Sequence, residues 1–167
     1  MGKELKTNAM RFLDKNKIDY TVQTYECGEF IDGIHTAQAL GQPVEETFKT
    51  LVAKGKSGSH YCFLIPVAEE LDLKKAAKSV GEKSVELIPV KDITAVTGYV
   101  RGGCTPIGMK KQFMTVVHDS AEKLELFHIS GGRIGTQIRL SPAELVKAVC
   151  GSFADIIMEK PADGQQF

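Results

Sequence analysis

This sequence has no excess of charge, no long apolar run and no paired cysteines. Lysine plus arginine and aspartate plus glutamate number 21 each in 167 residues, so the formal net charge is zero. A broad, non-specific nucleic-acid binder carries a basic excess, so that class is excluded, whereas a local anion site is not. No apolar stretch approaches the roughly 20 residues that a helix needs to span a bilayer. The opening segment MGKELKTNAM is polar, which gives no secretory signal. Lys6 also spoils the myristoylation pattern behind Met1-Gly2. The four cysteines (Cys27, Cys62, Cys104, Cys150) are widely spaced and form no C-x-x-C pair. They read as free thiols in a reducing cytosol, neither a zinc site nor a disulfide framework. A cytoplasmic location without metal or cofactor is therefore expected. Also missing are G-x-S-x-G, a Walker loop, H-E-x-x-H and a dinucleotide fingerprint.

The composition that remains is that of a globular domain, with 43% hydrophobic and 25% charged residues. A chain of this length buries enough surface to fold without staples. One domain over residues 1–158 is expected, with 159–167 as a frayed, apolar-poor tail. Thr7 caps a helix over Asn8–Asn16, and Leu5, Ala9, Phe12 and Leu13 fall on one face at helical spacing. Tyr20–Tyr25 alternates and is read as a strand. A polar loop over Cys27–Gly33 precedes a short helix, His35–Leu40, and Pro43 opens a helical turn carrying Glu45 and Glu46. Two apolar segments flank GKSGS and predict a hairpin. Asp72 caps a helix to Val80, with Leu73, Ala76, Ala77 and Val80 as its buried stripe and Gly81 as its stop. Ser84–Ile88, Phe113–His118, Leu124–Ile129, Gln137–Leu140 and Phe153–Ile157 read as strands. Asp92–Val96 reads as a helical turn. Ser141-Pro142-Ala143-Glu144 is a helix start with a capping box. The sum is an α+β (mixed α/β) domain, a mostly antiparallel sheet or partial barrel packed by helices.

Two glycine-rich segments stand out. Tyr99–Lys111, YVRGGCTPIGMKK, opposes helix through Gly102, Gly103 and Pro106. It reads as a strand end, Tyr99-Val100, opening into a loop. Such a loop exposes backbone N–H groups beside Arg101 and suits an anion, a carbonyl oxygen or a phosphate. From the residues alone, a wide turn with a solvated basic rim is the favoured reading. The second segment, Ser130-Gly-Gly-Arg-Ile-Gly135, follows a strand as well. If both lie at one sheet end, their N–H groups line one cleft with Lys49 near it. Lys49 starts the first hairpin arm and shares a face with Leu51 and Ala53, opposite Thr50 and Val52. It is either a solvated charge or an anion holder. His118 and His128 can face each other across a hairpin, or each be satisfied separately.

The ordered set FKTLV, LKKAAKSVG, GYVRGGCTPIGMKK, SGGRIG and FADI resembles the Cys-tRNA(Pro)/Cys-tRNA(Cys) deacylases of the YbaK/EbsC family, relatives of the prolyl-tRNA synthetase editing domain. The resemblance covers about residues 5 to 157. It implies a trans-editing enzyme that hydrolyses the ester between cysteine and the terminal ribose of tRNA. The partner it implies is the aminoacyl-tRNA acceptor end, with a transient complex with prolyl-tRNA synthetase. The matching positions make Lys49, Gly102 and Gly103 catalytic. Tyr25, Phe30, Lys49, Thr50, Ser130, Gly131, Gly132 and Gln137 are substrate-binding by the same carry-over. The chain departs from the pattern at Ile134-Gly135-Thr136, where relatives often carry a basic residue, Gly and Leu. The resemblance also implies substrate-assisted chemistry, in which the cysteine thiol attacks its own carbonyl, so Cys104 is expected to be structural. An editor of Ala-tRNA(Pro) or another mischarged tRNA, and a non-enzymatic aminoacyl-tRNA or nucleotide-binding module, are the alternatives.

Overall fold

The computed structural model describes residues 6–25, 37–38, 40–101 and 103–159. Leu5, Cys27, Phe30, half of the expected His35–Leu40 helix, Gly102 and residues 160–167 lie outside them. The first helix, α1 (Asn8–Lys15), starts where its cap requires: Thr7 Oγ1 accepts from the Met10 amide at 3.2 Å. It buries Ala9, Met10 and Leu13. Strand β1 (Tyr20–Thr24) follows, and a 3₁₀ turn at Val44–Glu46 leads into β2 (Phe48–Gly55). The GKSGS turn closes β2 onto β3 (His60–Pro66) as an antiparallel hairpin.

Helix α2 (Leu73–Val80) is held by Asp72, whose carboxylate accepts from the Lys74 and Lys75 amides. It stops at Gly81 in the left-handed region, φ 75°. Ala76 and Ala77 are buried, but Leu73 is 42% exposed, so the stripe is narrower than its spacing suggests. Then come β4 (Val85–Leu87), α3 (Ile93–Thr97), β5 (Met114–His118), β6 (Phe127–Arg133), β7 (Thr136–Leu140), α4 (Pro142–Val149) and β8 (Ser152–Ala154). Ser141 Oγ caps α4 by accepting from the Glu144 amide. The final strand is shorter than expected, although Ile157 still bridges to Leu71.

The strands form two sheets. One is antiparallel, in the order β1-β7-β6; the other is mixed, in the order β4-β2-β3-β5-β8. The β3–β5 and β5–β8 pairings are parallel. Of the two alternatives for His118 and His128, the shared hairpin is not formed, because β5 and β6 belong to different sheets. His118 instead bonds Ser120 through Nδ1 at 2.9 Å.

The main core joins both sheets to α1 and α4, with Leu13, Phe48, Leu64, Phe127, Ile138 and Leu145 all at or below 3% exposure. A second core lies under α2 and includes Phe63, Ile65 and Ala76. A third, smaller one lies beneath the 99–111 segment, where Val52 and Cys62 meet Tyr99, Cys104 and Phe113.

Candidate active site

The site is built on the face of the three-stranded sheet that turns away from the core. Side chains on a strand alternate. Ile129 and Ile138 point into the main core. The intervening positions Gln23, Gln137 and Ser130 therefore share the opposite face. Register places them in one row across the sheet, with Gln23 opposite Gln137 and Gln137 opposite Ser130. Gln137 is nonetheless only 5% exposed, so that face is covered there. Part of the cover is Gln42, whose Nε2 donates to Gln137 Oε1 and, at 3.1 Å, to Gln23 Oε1.

Strand β2 is docked beside this row. Thr47, immediately before β2, forms a parallel bridge with His128 of β6. Lys49 and Ser130 each lie two residues further along, so the start of β2 runs alongside the polar row. Lys49 is half-buried. Thr50 Oγ1 is buried and has no hydrogen-bond partner, and Thr105 Oγ1 shares that condition.

The two glycine segments converge, as the sequence made possible. A Cβ on Gly103 would lie 2.8 Å from Arg133 Cα and 3.1 Å from Arg133 N and C. Backbone meets backbone there, and no side chain fits. On the same side, Gly108 (φ +70°) has Asn8 C and O at 2.6 Å from an added Cβ, which seats the 99–111 segment on the first turn of α1. Thr7 completes the junction: its hydroxyl caps α1 and donates to Gly131 O at 2.6 Å. Tyr25, just past β1, joins it through its amide, which donates to Gly135 O at 2.9 Å.

Two expectations about these segments need correction. SGGRIG is not a loop after a strand. Ser130–Arg133 continues β6 and carries a register irregularity between Ser130 and Arg133, and Ile134-Gly135 forms the turn into β7. Glycines inside a strand mark such bulges and close approaches. Tyr99-Val100 is likewise no strand end. It follows α3 directly, after Gly98 in the left-handed region at φ 87°. Tyr99 is 5% exposed, and its hydroxyl ties the loop shut by donating to Ile107 O at 2.7 Å. Within the loop the Gly103 amide donates to Val100 O at 2.9 Å. That N–H, expected as a donor to substrate, is engaged in the turn; what Gly103 supplies is the close approach to Arg133.

Cys104 sits in this loop and is 9% exposed. Burial pushes its thiol up to about 11, with hydrogen bonds from the Thr97 side chain and the Thr105 backbone pulling weakly downward. At neutral pH it is a protonated thiol, and the thiolate is the nucleophile. Burial raises Cys62 well above its ordinary value too. His128, 8% exposed, is pushed down first by burial and then by Arg139, so it is neutral beside the site. Among the described residues no group of three or more His, Cys, Asp or Glu is placed to hold a metal ion. An open cleft of about 480 Å³, lined by Glu69, Lys75, His118 and Asp155, contains none of the expected site residues.

Gln42, Gln23 and Thr47 were not among the sequence candidates. Alternation along Thr21–Thr24 gives Gln23 a solvent face. Nothing in the local sequence pairs it with Gln137, because the register of β1 on β7 is set by tertiary packing.

The described residues of this mixed α+β domain thus bring two glycine segments together near a half-buried lysine and a row of polar side chains. The family of aminoacyl-tRNA editing domains matches residues 34–148. The chain is 41% identical over 152 residues to EbsC of Enterococcus faecalis, which is named a candidate Cys-tRNA(Pro)/Cys-tRNA(Cys) deacylase. That alignment covers 90% of this chain and 93% of the relative. The protein therefore belongs to the aminoacyl-tRNA editing domain family. The fold recurs in a crystal structure described as a candidate trans-editing enzyme for prolyl-tRNA synthetase, with a TM-score of 0.79 at 24% identity, covering 93% of this chain and all of that one. A protein of undescribed role, APE2540, gives a TM-score of 0.83 at 22% identity, covering 90% of this chain and 99% of that one.

Proposed function

We propose that this protein is a trans-editing deacylase that releases cysteine from mischarged tRNA(Pro), and acts in the cytoplasm on the acceptor end of the aminoacyl-tRNA. The observation that carries the reading is the junction of the β6 glycines with the 99–111 loop beside Lys49, in a chain 41% identical to a protein named for that activity. In this reading the substrate brings its own nucleophile. Its thiol sulfur attacks the ester carbonyl carbon, the bond to the ribose oxygen breaks, and the ribose hydroxyl recovers the thiol proton. The product is a four-membered thiolactone, which water then opens to free cysteine. An attached nucleophile can act at an effective molarity of about 10⁵ M or more, part of which the strained ring gives back.

The protein's part is to position and to stabilise charge. Lys49 holds a phosphate or ribose oxygen of the acceptor end. Gly102 is the oxyanion donor, and one such donor is worth about 10²–10³-fold in rate. Gly103 keeps the loop against β6. Tyr25, Phe30, Thr50, Ser130, Gly131, Gly132 and Gln137 enclose the aminoacyl group. With zero net charge, the chain contacts little of the tRNA beyond its end, and a transient complex with prolyl-tRNA synthetase supplies selectivity. The test is Lys49→Ala under single-turnover conditions. Loss of cysteine release at saturating enzyme supports an enzyme. Weakened binding with no release from wild-type protein points to a binding module.

A further inference from the structure

Gln42 ties three elements together through one carboxamide. Its Nε2 donates to Gln137 Oε1 on β7 and to Gln23 Oε1 on β1. Its Oε1 is one of two acceptors within reach of the single hydroxyl proton of Thr47, one residue before β2, at 3.2 Å against 3.1 Å for Pro43 O. Gln42 itself is fixed. Its amide donates to Ala37 O at 2.8 Å, and Pro43 follows it. Thr47 is fixed as well, since it bridges to His128 and accepts at its carbonyl from the Val67 amide at 2.9 Å. Gln42 thus links the polar row to the strand that carries Lys49 and Thr50.

A carboxamide has an acceptor edge and a donor edge. Gln42 takes the acceptor edge of Gln137. With its oxygen turned to Gln42, Gln137 presents its NH₂ on its other edge. We propose that Gln42 is a positioning residue: it orients Gln137 so that Gln137 donates a hydrogen bond to an oxygen of the substrate, the ester carbonyl or a ribose oxygen, and does not accept one from the substrate's α-ammonium. This rests on the deacylase reading for the identity of the substrate. The orientation itself does not.

Two variants test it. Gln42→Leu removes every polar contact at similar size. Gln42→Glu keeps the size but cannot donate, so Gln137 must turn its NH₂ toward residue 42. Single-turnover deacylation of Cys-tRNA(Pro) is measured for Gln42→Leu in the wild-type and Gln137→Leu backgrounds. One neutral hydrogen bond corresponds to a fall of about 5- to 10-fold in the first background. In the second the fall should be less than about two-fold, because Gln42 acts through Gln137. An equal fall in both backgrounds, or none in either, overturns the proposal. The second measurement needs no activity. The Gln137 side-chain NH₂ resonances, identified by their loss in Gln137→Leu, should move downfield in Gln42→Glu as they engage the carboxylate. Resonances that stay in place overturn the proposal. Wild-type protein inert toward every aminoacyl-tRNA defeats the deacylase reading alone, and the NMR result then decides the role of Gln42.

Discussion

Gly103→Ala is the perturbation that most directly probes the junction between the loop and β6. The added Cβ would stand 2.8 Å from Arg133 Cα, where ordinary contact begins at 3.4 Å, so one backbone must give by about 0.6 Å. Neither side of the contact is a flexible side-chain end. The loop is tied by Tyr99 to Ile107 and by Gly108 to α1, and β6 is held by Thr7. Overpacking of this kind costs about 1–3 kcal/mol. For a domain of this size that is roughly 2–12 °C in Tm. The functional loss should be larger in proportion, because a displacement near 1 Å can cost about 10²-fold; we expect about a 10-fold or greater fall in single-turnover rate. Gly58→Ala is the control. Gly58 has nothing within 4 Å of an added Cβ but sits at φ +97°, so alanine there is strained by about 1–2 kcal/mol far from the site. It should lower Tm and leave the rate unchanged. Wild-type Tm and rate in Gly103→Ala would refute the junction, and so would a rate loss in Gly58→Ala matching that in Gly103→Ala.

Other outcomes follow from the same geometry. Thr105→Val replaces a fully buried hydroxyl that has no partner and should stabilise the fold by about 1 kcal/mol in a denaturant melt, since nothing is lost but desolvation. Cys104→Ser should retain most activity, because the thiol is buried and protonated; collapse to background with the fold intact would contradict a substrate-supplied nucleophile. Lys49→Ala should slow deacylation by about 10- to 150-fold, the worth of one charge-assisted hydrogen bond. His60 and His128 are both depressed below the ordinary histidine value, chiefly by burial. The unfolded chain therefore binds more protons as pH falls below about 6.5. Their contribution is present above that pH and is lost on acidification through their folded values. Stability measured from pH 7 to pH 5 should decline, and His128→Gln should flatten the decline.

Local signals carried well from sequence to fold. Thr7, Asp72 and Ser141 cap helices by short-range bonds that a spacing can announce, and the GKSGS turn declares its hairpin. Long-range pairing did not carry. Nothing in Met114–His118 tells it to lie parallel to β3, one of two parallel pairings in a mostly antiparallel arrangement. The SGGRIG motif was misread because glycine weakens a strand reading, whereas here the missing side chains let β6 approach the 99–111 loop and α1. The site was legible in the same uneven way. Gly103, Ser130 and Gln137 come from motifs and do converge with Tyr25 and the start of β2. The engagement of the Gly103 amide by Val100 is a property of the folded turn. Gln42 belongs to a short polar stretch whose meaning appears only once β1, β7 and β2 are side by side.

The central claim is that the substrate's thiol is the nucleophile and the protein holds it in place. Single-turnover deacylation of Cys-tRNA(Pro), Ser-tRNA(Pro) and Ala-tRNA(Pro) by the same enzyme tests it most directly, since serine differs from cysteine essentially in one atom. Rapid release of cysteine with serine and alanine spared is the result this account requires. Comparable hydrolysis of Ser- or Ala-tRNA(Pro) would contradict it and make water the attacking group.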